Sequence, residues 1–408
     1  MRLLVWQWGR FGAMPRFAML LAEGLRALPG TEVALSLSSG AELLRSATPP
    51  RCELPVATYA GPLGFALRAA AAPFAVGRLA ARVAALRPEI AICAHPGPLD
   101  LLMAAALDRL HVPFVTLVHD ADLHPGDGLP LQMLLQRLLC RRSAAIGALS
   151  TYVGERLRAQ ALVATTTTTP TTGTTTGTTA GAAGRPLIRL RHPPVAFRLP
   201  PGPPRGTGGP RVLLFGRLLP YKGLDLLAEA LARLGPRPGL AVRVVGTGPD
   251  SAALRALRAT PGVTVENRWV PEDEIGALLA WSDVLVLPYR EASQSGVAAA
   301  ALAAGRWVVA TRVGGLPEQL AGTARGILCE PDADSLAAAL LPLLDAARNG
   351  LPGAATPPDS ATEWRTMADS LLRQIAALGL CRPAAEPLDA APVDTGPSGT
   401  EPLGGALP

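Results

Sequence analysis

At 408 residues the chain has room for two or three domains of about 150 residues each, and 49% hydrophobic with 17% charged residues excludes wholesale disorder. Its net charge of +6 is uneven: residues 1–200 carry 20 basic and 11 acidic groups and residues 201–408 carry 18 and 21, so an anionic partner or an anionic membrane surface suits the first half. Aromatic residues are only 4%, too few for base-stacking platforms, and nucleic acid is not expected as a partner.

Residues 1–11, MRLLVWQWGRF, have an apolar run over 3–8 and no small-residue cleavage site, and read as a buried first strand rather than a signal peptide. A helix is expected over 16–28, then strands over 32–38, 90–94 and 114–119. Arg68, Pro73, Arg78, Asp108 and Pro342 interrupt the most apolar stretches, so no run reaches the length of a spanning helix. Leu131, Leu134, Leu135, Leu138 and Leu139 share one helix face, while Arg137, Arg141 and Arg142 lie elsewhere. The plain expectation is leucines to the core and arginines to water; an anionic membrane surface is the alternative. Residues 165–179 contain 12 Thr and predict a disordered surface insertion over about 163–184.

After a Pro/Gly-rich break at 199–210 the alternation restarts, with strands expected over 211–215, 241–245, 263–266, 284–287 and 307–311 and helices over 223–234, 274–281 and 297–304. From residue 381 the chain reads as a disordered tail. The fold class this implies is α/β: two Rossmann-like, doubly wound parallel-sheet domains, residues 1–205 and 206–380, facing a cleft that is the default ligand site. Cys52, Cys93, Cys140, Cys329 and Cys381 are odd in number and lack CxxC spacing, so neither a disulfide framework nor a thiolate zinc site is indicated and a cytoplasmic setting is expected.

The chemistry concentrates at strand ends of the second unit. Gly216 ends the strand over 211–215, and Arg217 and Lys222 project from the connection to the next helix. An arginine fork and a lysine point charge there suit a diphosphate. Lys222 is the one lysine among 38 basic residues, retained where composition has otherwise favoured arginine. Further on, Ser295 is a good N-cap, and the amides of Ser295, Gly296 and Val297 would point at an anion. A third strand end, 311–318, adds a Gly-Gly turn and the carboxylate of Glu318. The segment 246–250 has GxG without the third glycine of a dinucleotide fingerprint, so a nicotinamide site is discounted.

In order, GRLLPYKG, VVGTGP, the WVPEDEI to VLVLPY run, SGVAAAALAAG, VGGLPE and ILCEPDADSLAAAL resemble the nucleotide-sugar domain of family 4 glycosyltransferases of GT-B fold, over about residues 211–345. The resemblance implies that Arg217 and Lys222 hold the donor diphosphate. The family's two Glu eight residues apart are matched only in part: Glu291 has Ala299 eight residues later, Ala292 is the ungapped counterpart of the first Glu, and Gln294 to Val297 resemble a subset reading Gln-Ser-Gly-Val. In the first unit the resemblance puts Gly9 and Gly12 in a turn near acceptor or donor phosphate and His119 near the transferred sugar. The run from His119 to Asp127 also fits a metal site or a structural capping cluster. A helix over 361–378 would cross back to the first domain.

The resulting expectation is a retaining, metal-independent glycosyltransferase with His119 and Glu291 as catalytic candidates, no cofactor beyond the nucleotide sugar, and a carbohydrate or lipid-linked acceptor. Peripheral contact with the inner face of a membrane is part of that expectation. A non-catalytic nucleotide-sugar binder and a GT-B isomerase or phosphorylase are the alternatives.

Overall fold

A computed structural model describes residues 1–46, 48–128, 130–164, 184–201, 209–347, 351 and 358–381. The Thr tract and the tail from residue 382 lie outside the described residues. Val163 and Arg185, on either side of the tract, pair as an isolated parallel bridge.

The first sheet consists of β1 (Arg2–Gln7), β2 (Glu32–Leu37), β3 (Ile90–Cys93), β4 (Phe114–Val118), β5 (Ala145–Ala148) and β6 (Leu187–Arg189), all parallel in the order β2-β1-β3-β4-β5-β6. Its helices are α1 (Ala13–Arg26), α2 (Gly61–Ala70), α3 (Ala72–Leu86), α4 (Asp100–Arg109), α5 (Pro130–Arg142) and α6 (Thr151–Ala159). The second sheet consists of β7 (Arg211–Phe215), β8 (Ala241–Gly246), β9 (Val263–Asn267), β10 (Val284–Leu287), β11 (Trp307–Thr311) and β12 (Gly326–Cys329), parallel in the order β12-β11-β10-β7-β8-β9. With it go α7 (Leu224–Leu234), α8 (Ala252–Ala259), α9 (Glu272–Trp281), α10 (Gly296–Ala303), α11 (Leu316–Leu320), α12 (Ala333–Ala346) and α13 (Ser360–Ala377). The central strands β3, β4, β7 and β10 are buried at every residue, as continuous apolar runs covered on both faces must be.

Strand order reverses beside β1 in one sheet and beside β7 in the other, and the carboxyl ends at such points are where open α/β sheets bind ligands. The helix expected to cross back does so. Although α13 falls within the stretch read as the second domain, 206–380, it packs against α1, and Trp364, Met367, Ala368, Leu371 and Ile375 join the first unit's core. The close approach depends on Gly24, where an added Cβ would lie 2.6 Å from the Trp364 carbonyl oxygen. Phe17 meets the Trp364 ring edge-on at 4.9 Å.

The plain reading of α5 is corrected. Met133, Gln136, Leu139 and Cys140 face inward, while Leu131, Leu134 and Leu138 are exposed beside the arginines. Gln136 lies on the inward side with these apolar residues, its Nε2 donating to the Asp120 carbonyl at 2.7 Å.

Candidate active site

The turn after β7 places both cations. Pro220 to Lys222 form a single 3₁₀ turn ending at Gly223, whose φ of 67° opens α7. A Cβ at Gly223 would collide with the Pro288 carbonyl, so only glycine lets this turn lie against the β10 loop. The Lys222 ammonium is 3.7 Å from the Tyr289 ring centroid and 4.8 Å from that of Tyr221. Among the described residues it has no carboxylate partner. The Arg217 guanidinium pairs with Asp127 of the first unit and donates to the Tyr221 hydroxyl at 3.3 Å.

At the neighbouring strand end, Ser295 caps α10, its Oγ accepting from Ala298 N at 3.2 Å. One expectation is corrected here. The Ser295 amide donates to Gln319 Oε1 at 2.8 Å and is not open to an anion. The amides of Gly296 and Val297, in the first turn of α10, have no partner among the described residues. They face the same cavity as Arg217 and Lys222.

From the first unit, β4 delivers His119, which is 1% exposed. Its Nε2 is 3.0 Å from the Ala94 carbonyl oxygen, which can only accept, so Nε2 carries the proton and Nδ1 is left as an acceptor. Among the described residues the buried Nδ1 atoms of His119 and His95 have no hydrogen-bond partner, and both residues line the cavity. Burial, reinforced by its neighbours His95 and His192, holds His119 far below the usual histidine range; burial also lowers His95 and His192. Burial acts to raise Asp120, but its hydrogen bond and ion pair with His124 at 3.2 Å outweigh that and hold the carboxyl well below its ordinary value.

These groups surround a cavity of about 520 Å³ between the two sheets. Of the predicted residues, Gly12, His119, Gly216, Arg217, Lys222, Ser295, Gly296 and Val297 line it. Three others do not. Gly9 is set back, its amide donating to the Gln7 side chain at 3.0 Å. Glu291 lies outside the cavity wall, half exposed, 3.5 Å from His124 Nδ1. Glu318 faces a separate small pocket and accepts from the Thr151 amide at 2.6 Å, joining α11 to α6. Ala299 is buried in α10, its carbonyl accepting from Val195 N, so it offers no polar side chain to a ribose.

Sequence reasoning missed His95, His192, Trp269 and Asp127 as cavity residues. His95 follows β3, next to β1 at the point of order reversal, and that position was the available signal. The run from His119 to Asp127 works as a junction between the units. Within the first unit Asp120 holds His124 and Asp122 holds Arg156 and Gln160, while Asp127 reaches across to Arg217. His124 stacks on Tyr221 at 4.7 Å. Arg16 and Glu272, 2.5 Å apart, make a further bridge between the units.

Two parallel-sheet domains enclosing a cavity, with cations at the adjacent carboxyl ends of the second sheet, define a protein of GT-B architecture. Residues 14–168 match the family model described as Glycosyltransferase Family 4, and residues 209–346 match Glycosyl transferases group 1. Each unit thus matches a family model of glycosyltransferases, and the two matches together cover more than two thirds of the chain. Among curated proteins it is 30% identical over 206 residues to a 2-deoxystreptamine glucosyltransferase of Streptomyces kanamyceticus, an alignment covering 50% of this chain and 51% of that one. It is 32% identical over 182 residues to a GDP-mannose-dependent alpha-(1-6)-phosphatidylinositol monomannoside mannosyltransferase of Mycolicibacterium smegmatis, covering 38% of this chain and 45% of the other. The chain thus spans about half the length of these curated relatives. Among solved structures, sucrose-phosphate synthase from Thermosynechococcus elongatus superposes with a TM-score of 0.58 at 16% identity, covering 92% of this chain and 99% of that one. Anabaena HepE in complex with UDP-glucose gives 0.57 at 16% identity, covering 92% and 98%. At such identities the structures speak for the fold alone.

Proposed function

We propose that the protein moves a sugar from a nucleoside diphosphate sugar to an acceptor hydroxyl, with retention of configuration, in the assembly of a polysaccharide or glycolipid. The observation that carries this reading is the convergence of Arg217, Lys222 and the amides of Gly296 and Val297 on one cavity that His119 enters from the opposite domain. As the bond from sugar to diphosphate breaks, negative charge grows on the leaving oxygens. Two fixed cations and two aligned amides stabilise that charge, so the chain itself supplies what a metal ion would otherwise provide. His119 is neutral, with its proton committed to Ala94, and forms part of the cavity wall on the side of the first domain. Glu291 acts at one remove, orienting His124 at the domain junction. Closure of the units over the cavity limits hydrolysis of the donor. No cofactor beyond the donor is required in this reading.

The names of the relatives narrow the choice of donor and acceptor. One uses GDP-mannose and a phosphatidylinositol monomannoside, another transfers glucose, and HepE was solved with UDP-glucose. A hexose on UDP or GDP, passed to a carbohydrate or lipid-linked acceptor, is the corresponding proposal here.

The test is a thermal-shift panel of UDP-, GDP- and ADP-sugars on the wild type and Lys222→Ala. One nucleotide class should stabilise the wild type, with the shift largely lost in the variant. Equal shifts in both proteins would remove Lys222 from the donor site.

A further inference from the structure

A helix of a globular domain normally buries an apolar stripe, yet α2 has no buried residue. It continues into α3, and the two meet at a bend of 79°. The inner side of this elbow is anchored, because Val76, Leu79 and Val83 of α3 sit in the first unit's core. The outer side carries Leu63 at 74%, Leu67 at 64% and Phe74 at 81% exposure. From residue 61 to 88 there is no Asp or Glu, while Arg68, Arg78 and Arg82 stand among the apolar side chains. Neither Arg68 nor Arg78 has an acidic partner among the described residues. No single described helix is long and apolar enough to cross a membrane, and a bend of this size turns the pair away from a straight span.

We infer that the α2–α3 elbow docks the protein on an anionic lipid surface, with Leu63, Leu67 and Phe74 entering the interface and Arg68 and Arg78 meeting lipid phosphates. Exposed large apolar residues interleaved with unpaired arginines and no carboxylate fit a surface of negative charge over an apolar interior. The remaining charge of the first half has the same sign as that face. The segment ahead of the elbow is tied to the loop that carries Phe11. Tyr59, two residues ahead of α2, accepts from Arg10 Nη1 through its carbonyl at 3.2 Å, and Arg10 lies 5.3 Å from the ring of Phe11, a cavity residue. The docking surface stands on its own observations and does not depend on the sugar-transfer reading.

Flotation of the full chain with vesicles of phosphatidylcholine alone, and of phosphatidylcholine with about one third phosphatidylglycerol, tests this. The wild type should bind the mixed vesicles and not the neutral ones. Leu67→Gln with Phe74→Gln should weaken that binding by about tenfold or more. Arg68→Gln with Arg78→Gln should weaken it by about fivefold per arginine. Because all four side chains point to solvent, unchanged unfolding midpoints and unchanged nucleotide-dependent thermal shifts are expected, which separates this outcome from failure of the donor site. Absence of vesicle binding, or equal binding by the wild type and the apolar double variant, overturns the inference. So does a wild-type dimer that dissociates in the apolar double variant while no vesicles are bound, since a second copy would then cover the face.

Discussion

Arg217 of the second domain is ion-paired with Asp127 of the first across the mouth of the cavity. The cation proposed for the donor diphosphate therefore already holds a carboxylate, and a donor must displace it. Asp127→Asn should leave the fold intact and tighten nucleoside diphosphate binding two- to fivefold, the worth of a half-exposed pair at about 0.5–1 kcal/mol. Titration calorimetry reads this directly. Weaker binding in the variant would mean that Asp127 helps to hold the donor.

Lys222 is packed by two rings, at 3.7 Å from Tyr289 and 4.8 Å from Tyr221. A planar guanidinium cannot place a single compact charge there, so Lys222→Arg should lower donor affinity about tenfold despite keeping the charge. An arginine variant with wild-type affinity would show that charge alone matters at this turn.

The fold was largely legible, because buried parallel strands are continuous apolar runs and several of the helices between them, such as α1, α7 and α8, are amphipathic. β7, β10 and β11 begin and end where the apolar runs do. Half of the site was legible too: Arg217 and Lys222 stand out as cations in a strand-to-helix turn. What could not be read was pairing between distant segments. Nothing local announces that Gln319 takes the Ser295 amide, that Glu318 turns to Thr151, or that His124 rather than substrate engages Glu291. The orientation of α5 escaped for the same reason, since its inward face is made by Met133, Leu139 and Cys140 together with Gln136, which bonds a distant loop carbonyl.

Docking of α13 on α1 should fail when Gly24 gains a side chain. The Trp364 carbonyl would lie 2.6 Å from a Cβ at this position, and both elements are backbone at the contact. Gly24→Val should destabilise the protein by about 1–3 kcal/mol in urea unfolding, the usual cost of overpacking a helix contact. An unchanged midpoint would show that α13 shifts without loss.

His124 makes the domain junction sensitive to pH. Burial pulls its protonated form down, but the hydrogen bond and charge of Asp120, with Glu291 adding to them, raise it above its ordinary 6.5. A raised native value means that the stabilisation is complete below about pH 6.5 and is lost as pH rises through the native value. In His124→Gln this decline should vanish, so wild type and variant should diverge on the acid side in thermal unfolding and converge at alkaline pH. Parallel curves across that range would remove His124 from the junction.

Asp100 is the opposite case, a carboxyl that burial pushes up to about 7. It is fully buried at the start of α4; its Oδ2 accepts from the Gly97 amide at 2.7 Å and from the Cys93 thiol at 3.4 Å. In the unfolded chain the same carboxyl ionises near 3.8. Between those values the native state binds the extra proton, so stability falls as pH rises from about 4 to 7 and levels off above. Asparagine keeps the acceptor oxygen and cannot ionise. Relative to wild type, Asp100→Asn should gain about 2–3 kcal/mol of stability between pH 5 and pH 8, at about 1.36 kcal/mol for each pH unit up to 7. Urea unfolding of both proteins at the two pH values measures the difference. An equal pH response would mean that Asp100 is ionised in the folded protein and that the α4 terminus or an adjacent donor stabilises its charge.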